Sequence, residues 1–566
     1  RLQMHVLGIN SVYHESSAAL IVNGQIVAAA EEERFNRRKH GKQARIDNPD
    51  ELPWSSIRYC LEWADVHPSN LDAVAYSFDP QMRRLEYRSD PYATAGDWGH
   101  PDGEETFLNH LQRVPDALSV GLGVDLIDRF RWIPHHVAHA ASAYYPSGFD
   151  RAGILVVDGI GEAVTALLGH YERGRLEVLQ RVFFPDSLGF LWEKLSRFLG
   201  FTEYDACKVM GLAAYGDPDL MRSAIHKLVW SRDGGFGIDA DLLQFRRRDF
   251  DGLTSLLGSP GTWLGEREQS LAAALQTVTE EIFLSLARYI HDCRPADALC
   301  IAGGVGLNCQ ANWVVKEEGP YERVYVPSAP HDAGTAIGAA LACAHEHAEP
   351  GVGLVGSPNR CPYLGPAFSA EQVDACLRQY GLDATRPACI EREAARQIAE
   401  GKIVAWFQGR MEFGPRALGN RSLLADPRNP EIREILNVKV KHREVYRPFA
   451  PSVLAERAAD WLILGRGSDS DAYMSFTPPV RPERIAQVPA VVHRDGTARA
   501  QVVTAESNPR FHRLLREFEA LTGVPLVLNT SFNDSEPIVC SPADAVKTFL
   551  ATRIDTLVLG DVMVTR

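Results

Sequence analysis

Two histidines and two aspartates are spaced so that they could bind one divalent metal ion. His135 and His139 lie four residues apart in WIPHHVAHAASAYY, a segment predicted to form a helix after a strand. Side chains four residues apart share a helix face, so both imidazoles can reach one point. Asp158 ends the predicted strand AGILVVDG, and Asp332 precedes a helix of small residues. This ligand set suits manganese, zinc or ferrous iron, of which we expect ferrous iron.

Each of these residues also has a structural interpretation. An HxxxH pattern is often only a packed helix face, and Asp332 could serve as a helix N-cap. We favour the metal site because both acids stand where strands end or helices begin, and these ends meet at the cleft of an α/β fold. His136 lies on another side of the same helix and is the reserve ligand.

Two other residues are candidates for a group-transfer reaction. His14 lies in the loop SVYHESSAAL, where a neutral imidazole could accept a proton from an attacking hydroxyl. The structural alternative is a loop histidine bonded to the backbone. Lys208, in EYDACKVMGLAAYG, either contacts a phosphate or is solvated, and the sequence favours neither.

Segment 402–447 is a basic block in an acidic chain. It holds ten Lys or Arg against five Asp or Glu, a balance of +5, whereas the whole chain carries −14. Arginines among Gly, Pro and Asn, as in GRMEFGPRALGNRS and YRPFAPS, present a planar fork that matches phosphate oxygens. The strand end LVLNTSFN adds neutral donors that either complete an anion site or form an ordinary turn.

The elements that must position these residues occur twice. The strand HVLGIN is followed by a predicted hairpin that turns at Asn23-Gly24, and AGILVVDG by one that turns near Arg173-Gly174. The repeat predicts a duplicated α/β fold of the actin, sugar-kinase and Hsp70 (ASKHA) type, in which such turns clasp the phosphates of a nucleotide. A glycine loop at 303–306 follows another buried strand and lets a nucleotide approach the backbone.

A segment rich in Gly and Pro, 348–366, predicts a boundary. We expect one domain over residues 4–350 and a second α/β domain over 365–566. The weakly patterned stretches 80–118 and 185–270 are expected to be insertions in the first domain. In the second, REAARQIAEG and PEIREILNVKVKH are predicted helices, and KIVAWF, VPLVLN and DTLVLGDVMV predicted strands.

Composition narrows the function classes. Hydrophobic residues make up 45% and charged residues 23%, which is ordinary for a globular protein, and the charge of −14 disfavours a nucleic-acid partner. The ten cysteines form no CxxC pair, so neither a thiolate zinc site nor a disulfide framework is expected. No apolar run has bilayer length and no signal-peptide core is recognised, so we expect a cytoplasmic protein without a membrane partner.

Beyond these separate signals, the sequence resembles the O-carbamoyltransferase family, which includes the nodulation-factor, cephalosporin and tobramycin carbamoyltransferases. The resemblance covers nearly the whole chain. It rests on a set of segments that occur in the family's order: HESSAALIVNG, AEEERFNRRKH, HHVAHAASAYYPSGF, VVDGIGE, KVMGLAAYG, AGGVGLN, HDAGTAIGAA, GRMEFGPRALGNRSLLADPR, YRPFAPSV, DGTARAQVV and NTSFN.

The resemblance implies a reaction in two parts. The first domain is similar to the threonylcarbamoyl transferase of tRNA modification, and the second to the YrdC-like synthase that makes its adenylate. The second domain is expected to form carbamoyl adenylate from carbamoyl phosphate and ATP with Mg. The first is expected to transfer the carbamoyl group to a hydroxyl of a small natural product, such as an antibiotic, with release of AMP. The sequence leaves a homodimer open.

The resemblance also assigns residues. The metal site maps to His135, His139, Asp158 and Asp332, and the transfer reaction to His14. The expected nucleotide contacts of the first domain are Gly159, Gly161, Lys208, Gly211, Gly303, Gly304 and Asn308. The expected carbamoyl phosphate and ATP contacts of the second are Arg416, Lys441, Arg447, Arg499, Asn529 and Ser531.

Other functions share part of these signals. A kinase of the sugar-kinase type explains the duplicated fold but neither the histidine pair nor the second domain, and a requirement for carbamoyl phosphate separates the two. A tRNA threonylcarbamoyl transferase and an ATP-hydrolysing Hsp70-like binding protein share the first domain only. The related hydrogenase-maturation carbamoyltransferase carries CxxC zinc fingers and an acylphosphatase domain, neither of which this sequence shows. The acceptor is left open among aminoglycosides, cephems, macrocycles and lipo-oligosaccharides.

Overall fold

Two five-stranded sheets with the same strand order dominate the first part of the computed structural model, which describes residues 3–261, 264–347 and 358–566. The first sheet consists of β1 His5–Asn10, β2 Ser17–Val22, β3 Gln25–Glu31, β4 Ala73–Tyr76 and β5 Phe130–Trp132. Then follow β6 Arg151–Val157, β7 Val164–Glu172, β8 Arg175–Phe183, the separate hairpin β9 Val229–Arg232 and β10 Gly235–Ile238, β11 Ala298–Ala302 and β12 Arg323–Tyr325.

The strand order shows the repeat directly. It is β3-β2-β1-β4-β5 in the first sheet and β8-β7-β6-β11-β12 in the second. In each sheet the first three strands pair antiparallel and the last two join by parallel pairing. The two sheets therefore share one topology, as the repeat in the sequence predicts.

Both predicted hairpin turns are confirmed. Asn23 and Gly24 have φ of 51° and 79°, and Arg173 and Gly174 have φ of 50° and 79°. Two consecutive residues with positive φ form the type of turn whose twist matches that of antiparallel strands. The turns thus fix the register of β2 with β3 and of β7 with β8.

Helices cover the sheets and fill the segments that lack a clear sequence pattern. The described parts of stretches 80–118 and 185–270 contain several short helices, and the second stretch also contains the hairpin of β9 and β10. The helices of the first part of the chain are Glu33–Asn36, Trp54–Trp63, Pro80–Glu86, Pro101–Leu111, Val114–Leu122, His135–Ser147, Leu188–Phe198, Ala206–Ala213, Arg222–Leu228, Ala240–Leu243, Asp251–Leu257, Glu266–Cys293, Cys309–Glu318 and Gly334–His347.

Helix His135–Ser147 packs directly against helix Gly334–His347, and a glycine makes the approach possible. A Cβ on Gly338 would lie 1.7 Å from the carbonyl oxygen of Ala138. We therefore expect Gly338→Ala to lower the free energy of unfolding by about 1–3 kcal/mol, as overpacked cores do. Urea denaturation measures the change.

Gly235→Ala is the matched control for that prediction. A Cβ on Gly235 meets only the side chain of Val182, at 3.4 Å, an ordinary van der Waals contact. This variant should stay within about 0.5 kcal/mol of the native chain. Equal stabilities of the two variants would contradict the tight helix packing at Gly338.

A seven-stranded mixed sheet forms the second part of the chain. Its strands are β13 Val404–Phe407, β14 Arg421–Ala425, β15 Ala450–Leu454, β16 Gln501–Val503, β17 Leu526–Ser531, β18 Thr556–Leu559 and β19 Val562–Thr565, in the order β16-β15-β17-β14-β13-β18-β19. Its helices are Ala370–Gln379, Ile390–Ala399, Ile432–Glu434, Pro482–Ile485, Pro509–Thr522 and Pro542–Ala551. The predicted strands are confirmed, and DTLVLGDVMV forms two of them. The predicted helix over PEIREILNVKVKH is instead one short α-turn followed by a π-helix, Ile435–Val440.

The chain forms two units, residues 1–36 with 40–360 and residues 37–39 with 361–566. The predicted boundary at 348–366 falls partly on 348–357, which lie outside the described residues. Both units mix helices with sheets, so the chain is of the α/β class. Within the described ranges, no helix is both long enough and apolar enough to cross a bilayer.

Candidate functional site

The four predicted metal ligands come together in the first unit. The Nε2 atoms of His135 and His139 lie 3.3 and 3.4 Å from Oδ2 of Asp158. Both also lie 3.4 Å from Oδ1 of Asp332. One ligand atom from each residue is within 4.8 Å of the other three, and all four residues are buried. The strand β6 ends one residue before Asp158, and the helix that starts at His135 carries both imidazoles.

Neighbouring groups orient these ligands. Nδ1 of His135 lies 2.9 Å from the carbonyl oxygen of Ser77, so Nδ1 carries a proton and Nε2 is directed toward the carboxylates. The backbone N–H of His135 donates to the carboxylate of Glu162 at 2.9 Å. Oδ1 of Asp158 accepts the N–H of Gly304 at 2.9 Å, which directs Oδ2 toward the histidines.

The residues present fit a divalent ion. Both Nε2 atoms are buried and have no hydrogen-bond partner among the described residues. The separations of 3.3–3.4 Å are those of ligand atoms that share an ion at about 2.0–2.1 Å in tetrahedral geometry. Burial acts to raise the pKa of Asp158, but His135 and His139 hold it well below its usual range. For Asp332, burial and Asp158 act to raise the pKa, and the two histidines outweigh them. The two ionised carboxylates match a divalent charge.

His136, the reserve ligand, stays outside this group. Its ring faces the loop after β6, where a Cβ on Gly161 would lie 2.7 Å from its Nδ1. Burial lowers the pKa of His136 to about 3, so the ring is neutral. His136 is therefore not one of the four clustered side chains that could hold an ion.

The predicted nucleotide contacts of the first unit lie in different surroundings, some beside Asp158 and others apart from it. Gly303 has φ of +92°, and a Cβ there would lie 2.1 Å from the carbonyl of Val157, so the glycine loop lies directly against the end of β6. The loop thereby places Gly304 beside Asp158, near Gly159. Lys208, in the same helix as Gly211, pairs with Asp205 at 3.3 Å.

Asn308 is engaged elsewhere. Its amide exchanges two hydrogen bonds of 3.0 Å with Gln276, and its Oδ1 also accepts the N–H of Ala311 at the start of helix Cys309–Glu318. These contacts give Asn308 a structural role as a helix cap, which a strand–loop–helix pattern does not distinguish from a ligand contact.

Lys441 is the centre of the predicted anion site in the second unit. The residue is only 3% exposed, and its ammonium donates to the carbonyl and hydroxyl of Ser531 and to Oδ1 of Asn533. Burial and the charges of Arg443 and Arg447 hold the pKa of Lys441 well below its usual range. Its partners are neutral oxygens, and no carboxylate in the described ranges forms an ion pair with it. A bound anion would therefore stabilise this cation strongly.

Asn529 and Arg499 lie in the same unit. Asn529, on β17, donates to the carbonyl of Ala417 at 3.2 Å, next to Arg416, and its Oδ1 is buried with no partner among the described residues. Nε of Arg499 is likewise buried without a described hydrogen-bond partner. The structure thus joins Lys441 to Ser531, and Asn529 to the loop of Arg416.

Much of the basic block is structural. Arg421 is fully buried and donates to five carbonyls, at 2.6 Å to that of Gln408 and at 3.1 Å to that of Pro366. Arg428 pairs with Asp426 at 2.7 Å. The local charge of +5 therefore overstates what a ligand would meet, because sequence counts do not show which arginines already bind carbonyls or acids.

Comparison with known proteins identifies the family. The Carbamoyltransferase N-terminus family model matches residues 5–341, and the Carbamoyltransferase C-terminus model matches residues 395–566. The chain belongs to the carbamoyltransferase family. It is 35% identical over 585 residues to nodulation protein NolNO of Sinorhizobium fredii, an alignment that covers 98% of this chain and 79% of the relative. It is 36% identical over 604 residues to the uncharacterized protein sll1178 of Synechocystis, with 98% and 95% covered.

Among solved structures, that of HypF from T. kodakarensis aligns with this carbamoyltransferase over 60% of the chain and 47% of HypF. The identity is 12% and the TM-score 0.33, too low for an inference. The family itself makes the chain a transferase, and implies a carbamoyl donor and a hydroxyl acceptor in general terms.

The carbamoyltransferase contains a buried carboxylate that the sequence analysis missed. Oε1 of Glu412 accepts the backbone N–H groups of Leu418 and Asn420 at 2.7 Å and of Arg421 at 3.1 Å. Three charge-assisted hydrogen bonds fix the loop that carries Arg416. The only signal was a lone acid among the arginines of GRMEFGPRALGNRS, where it counted merely as negative charge.

A second group of buried titratable residues in the first unit was also missed. Glu15, Glu31 and His331 each place a ligand atom within 4.8 Å of the others, close enough to hold a cation. Nε2 of His331 lies 3.7 Å from both carboxylates. Glu31 also pairs with Arg34 at 2.9 Å. The signal was the acids that follow the predicted strands in HESS and AEEER, together with the histidine of HDAG.

His14 lies beside this second group. Its ring is 5.6 Å from that of His40 and 5.4 Å from that of Tyr204, measured between centroids. Its Nδ1 is buried, and no described residue forms a hydrogen bond with it, so the ring is not a backbone-bonded loop histidine. One hydrogen bond of 2.8 Å, from the hydroxyl of Tyr13 to the carbonyl of Gly161, joins the same loop to the one that follows Asp158.

Proposed function

We propose that this carbamoyltransferase forms carbamoyl adenylate in its second unit and transfers the carbamoyl group to a hydroxyl of a small natural product, such as an antibiotic, in its first. The observation that supports this most is the different chemistry of the two sites. The second unit buries a cation, Lys441, among neutral oxygens, which suits phosphates. The first unit buries carboxylates and imidazoles, which suit a metal ion and proton transfer.

In the first half-reaction, water hydrolyses carbamoyl phosphate to phosphate and carbamate, and an oxygen of the carbamate bonds to the α-phosphorus of ATP, with Mg on the nucleotide. The bond from that phosphorus to the pyrophosphate oxygen breaks, and pyrophosphate leaves. The phosphate-binding residues in this proposal are Arg416, Lys441 and Arg447, with Arg499, Asn529 and Ser531 completing the site. Glu412 fixes the backbone of the loop that carries Arg416. Substrate binding therefore does not have to order this loop, which lowers its entropy cost.

In the second half-reaction, the acceptor oxygen bonds to the carbamoyl carbon and AMP leaves. His135, His139, Asp158 and Asp332 would hold the divalent ion, for which ferrous iron is our first choice. When bound there, the ion supplies Lewis-acid polarisation of a carbonyl or phosphate oxygen. Gly159, Gly161, Gly303 and Gly304 would line the nucleotide. An imidazole of the first unit, His14 in the sequence-based prediction, takes the hydroxyl proton.

This proposal assigns the first domain, residues 4–350, to the ASKHA fold type and the second, residues 365–566, to the YrdC-like type. The shared topology of the two sheets supports the first assignment. We further propose that the enzyme works in the cytoplasm, where ATP is available. A panel containing an aminoglycoside, a cephem, a macrolide and a lipo-oligosaccharide, assayed by mass spectrometry for a carbamoyl adduct, tests the acceptor class.

Arg447→Ala tests the first half-reaction. Loss of one charge-assisted contact to phosphate should weaken the binding free energy of carbamoyl phosphate by about 1.5–3 kcal/mol. The expected result is a higher carbamoyl phosphate requirement for pyrophosphate release from ATP. Arg433→Ala, in the same basic block but on a half-buried helix face, should leave that requirement unchanged. Unchanged pyrophosphate release in Arg447→Ala would show that the site is misplaced.

A further inference from the structure

Asn437 organises the turn that follows the π-helix of the second unit. The residue is fully buried and lies on that helix, Ile435–Val440. Its amide nitrogen donates to the carbonyl of Val445 at 3.3 Å and to that of Arg447 at 3.2 Å. Its amide oxygen accepts the Nε–H of Arg443 at 2.7 Å. One buried side chain therefore holds the turn at three points.

The backbone of this turn is also bonded to the π-helix. The N–H of Lys441 donates to the carbonyl of Leu436 at 2.8 Å, and the N–H of Arg443 donates to the carbonyl of Asn437 at 2.9 Å. His442, between these two donors, has φ of 46°, in the left-handed region that residues other than glycine seldom occupy. Such a backbone persists only where the surrounding contacts impose it, and both this conformation and π-helices are frequent at functional sites.

The turn brings like charges together. Burial is the largest cause that lowers the pKa of Lys441, and the nearby charge of Arg443 is the next. Arg447 lowers this pKa as well, whereas two nearby carboxylates act to raise it without compensating. Cations that are held together away from water repel one another more strongly than they do in solvent. The contacts of Asn437 oppose this repulsion, and a bound phosphate would offset it.

The side chain of Arg443 has a second support. Its guanidinium carbon lies 4.7 Å from the ring centroid of Phe449, within the range of a cation–π interaction. The ring and the amide of Asn437 together restrict a long side chain that would otherwise lose its rotamer freedom when a ligand binds. The entropy cost of ordering this arginine is therefore largely met during folding, before any substrate arrives.

We propose that Asn437 is a positioning residue for carbamoyl phosphate binding, because it holds the turn 441–447 in the conformation that presents its cations to the phosphate. This inference rests on the proposed function of the second unit. Asn437 is fully buried and acts through Arg443 and Arg447, without touching the substrate itself. The phosphate then meets a turn that is already in place beside Lys441, so binding does not have to order it.

Asn437→Ala removes all three contacts of the amide. With the turn no longer held, kcat/KM for carbamoyl phosphate in pyrophosphate release from ATP should fall about 10–10²-fold, the effect of one charge-assisted contact. The loss should appear mainly as a higher KM, because the substrate phosphate is what the turn binds. Transfer from supplied carbamoyl adenylate should stay within about twofold of the native rate, since that step belongs to the first unit.

Gln397→Ala is the matched control. Gln397 is another buried amide of the second unit, whose Nε2 donates to the carboxylate of Glu393 at 3.0 Å and whose Oε1 accepts the hydroxyl of Thr556 at 3.1 Å. It lies on helix Ile390–Ala399, and none of its partners belongs to the proposed anion site. This variant should lose stability but keep kcat/KM for carbamoyl phosphate within about twofold. An equal fall in both variants would point to a general weakening of the second unit and contradict the specific role of Asn437.

The double variant Arg443→Ala/Arg447→Ala separates positioning from simple packing. If Asn437 acts through these two arginines, adding Asn437→Ala to that background should lower kcat/KM by less than about threefold, because residues that act as a unit are not additive. Initial rates of pyrophosphate release at low carbamoyl phosphate measure the change. A purely structural role predicts the same fall in both backgrounds, with kcat reduced and KM unmoved, and that result would overturn the inference.

Asn437→Asp tests the same role with a side chain of equal size, in case the alanine variant does not fold. The carboxylate can still accept the Nε–H of Arg443, but it cannot donate to the carbonyls of Val445 and Arg447, and it adds a negative charge beside the arginines. The KM for carbamoyl phosphate should therefore rise about tenfold or more. A KM close to the native value would contradict the inference.

The inference and the proposed function fail in different ways. If the native enzyme releases pyrophosphate in response to carbamoyl phosphate and both Asn437 variants keep the native KM, the inference about Asn437 is wrong and the proposed function stands. If the native enzyme neither releases pyrophosphate in response to carbamoyl phosphate nor transfers a carbamoyl group, the proposed function is wrong and the inference falls with it.

Discussion

Lys441→Ala is expected to release pyrophosphate from ATP and carbamoyl phosphate about 10²–10³-fold more slowly than the native enzyme. Removal of one preorganised donor from a water-poor site that stabilises developing negative charge has an effect of this size. Lys441 meets that description because it is buried and its three contacts come from Ser531 and Asn533, both neutral. A coupled assay of pyrophosphate gives the rate, and carbamoylated product should fall in parallel.

The same variant should regain transfer when carbamoyl adenylate is supplied directly. The candidate metal ligands and His14 belong to the first unit, whereas Lys441 belongs to the second. Lys439→Ala is the control, because Lys439 is exposed on the π-helix that ends one residue before Lys441 and should be dispensable for both steps. A single-site, kinase-like mechanism predicts the opposite for Lys441→Ala, namely loss of both half-reactions without rescue.

The clustering of the four candidate metal ligands could be predicted from sequence, because the position of each ligand depends on the helix or strand that carries it. The i, i+4 spacing places His135 and His139 on one helix face whatever the tertiary structure. Asp158 and Asp332 sit at the ends of regular elements, and such ends meet at one edge of an α/β fold. The hairpins at Asn23 and Arg173 were predictable for the same reason, since two residues fix the turn.

The other polar contacts of the two units could not be predicted, because they depend on partners that are distant in the sequence. Arg421 counted in the sequence only as one charge of the basic block, yet it donates to carbonyls as far away as those of Pro366 and Cys540. Glu412 and Asn308 have no periodic signal, because the backbone N–H groups and the amide that they bind are defined only by loop geometry. Glu15 and His40, whose side chains form a hydrogen bond, both have left-handed backbones that no propensity rule predicts.

His139→Ala should purify without the divalent ion and with the fold intact. The loss of one of four ligands leaves one imidazole and two carboxylates, and these three would hold an ion far more weakly. Elemental analysis after dialysis measures the content, and circular dichroism checks the fold. If the ion supplies several kcal/mol of transition-state stabilisation, transfer from carbamoyl adenylate should fall about 10²–10⁴-fold. Pyrophosphate release should continue.

His136→Ala makes this prediction specific. Both histidines are buried on the same helix, so their truncation removes equal volume at adjacent turns. Of these two histidines, His139 has its Nε2 3.4 Å from both Asp158 and Asp332, whereas the neutral ring of His136 faces the loop of Gly161. His136→Ala should therefore keep its metal even if it loses stability. Full metal content in His139→Ala, or equal loss in both variants, would mean that these four side chains form a structural ion-pair network and that the transfer step draws its electrostatic stabilisation from other groups.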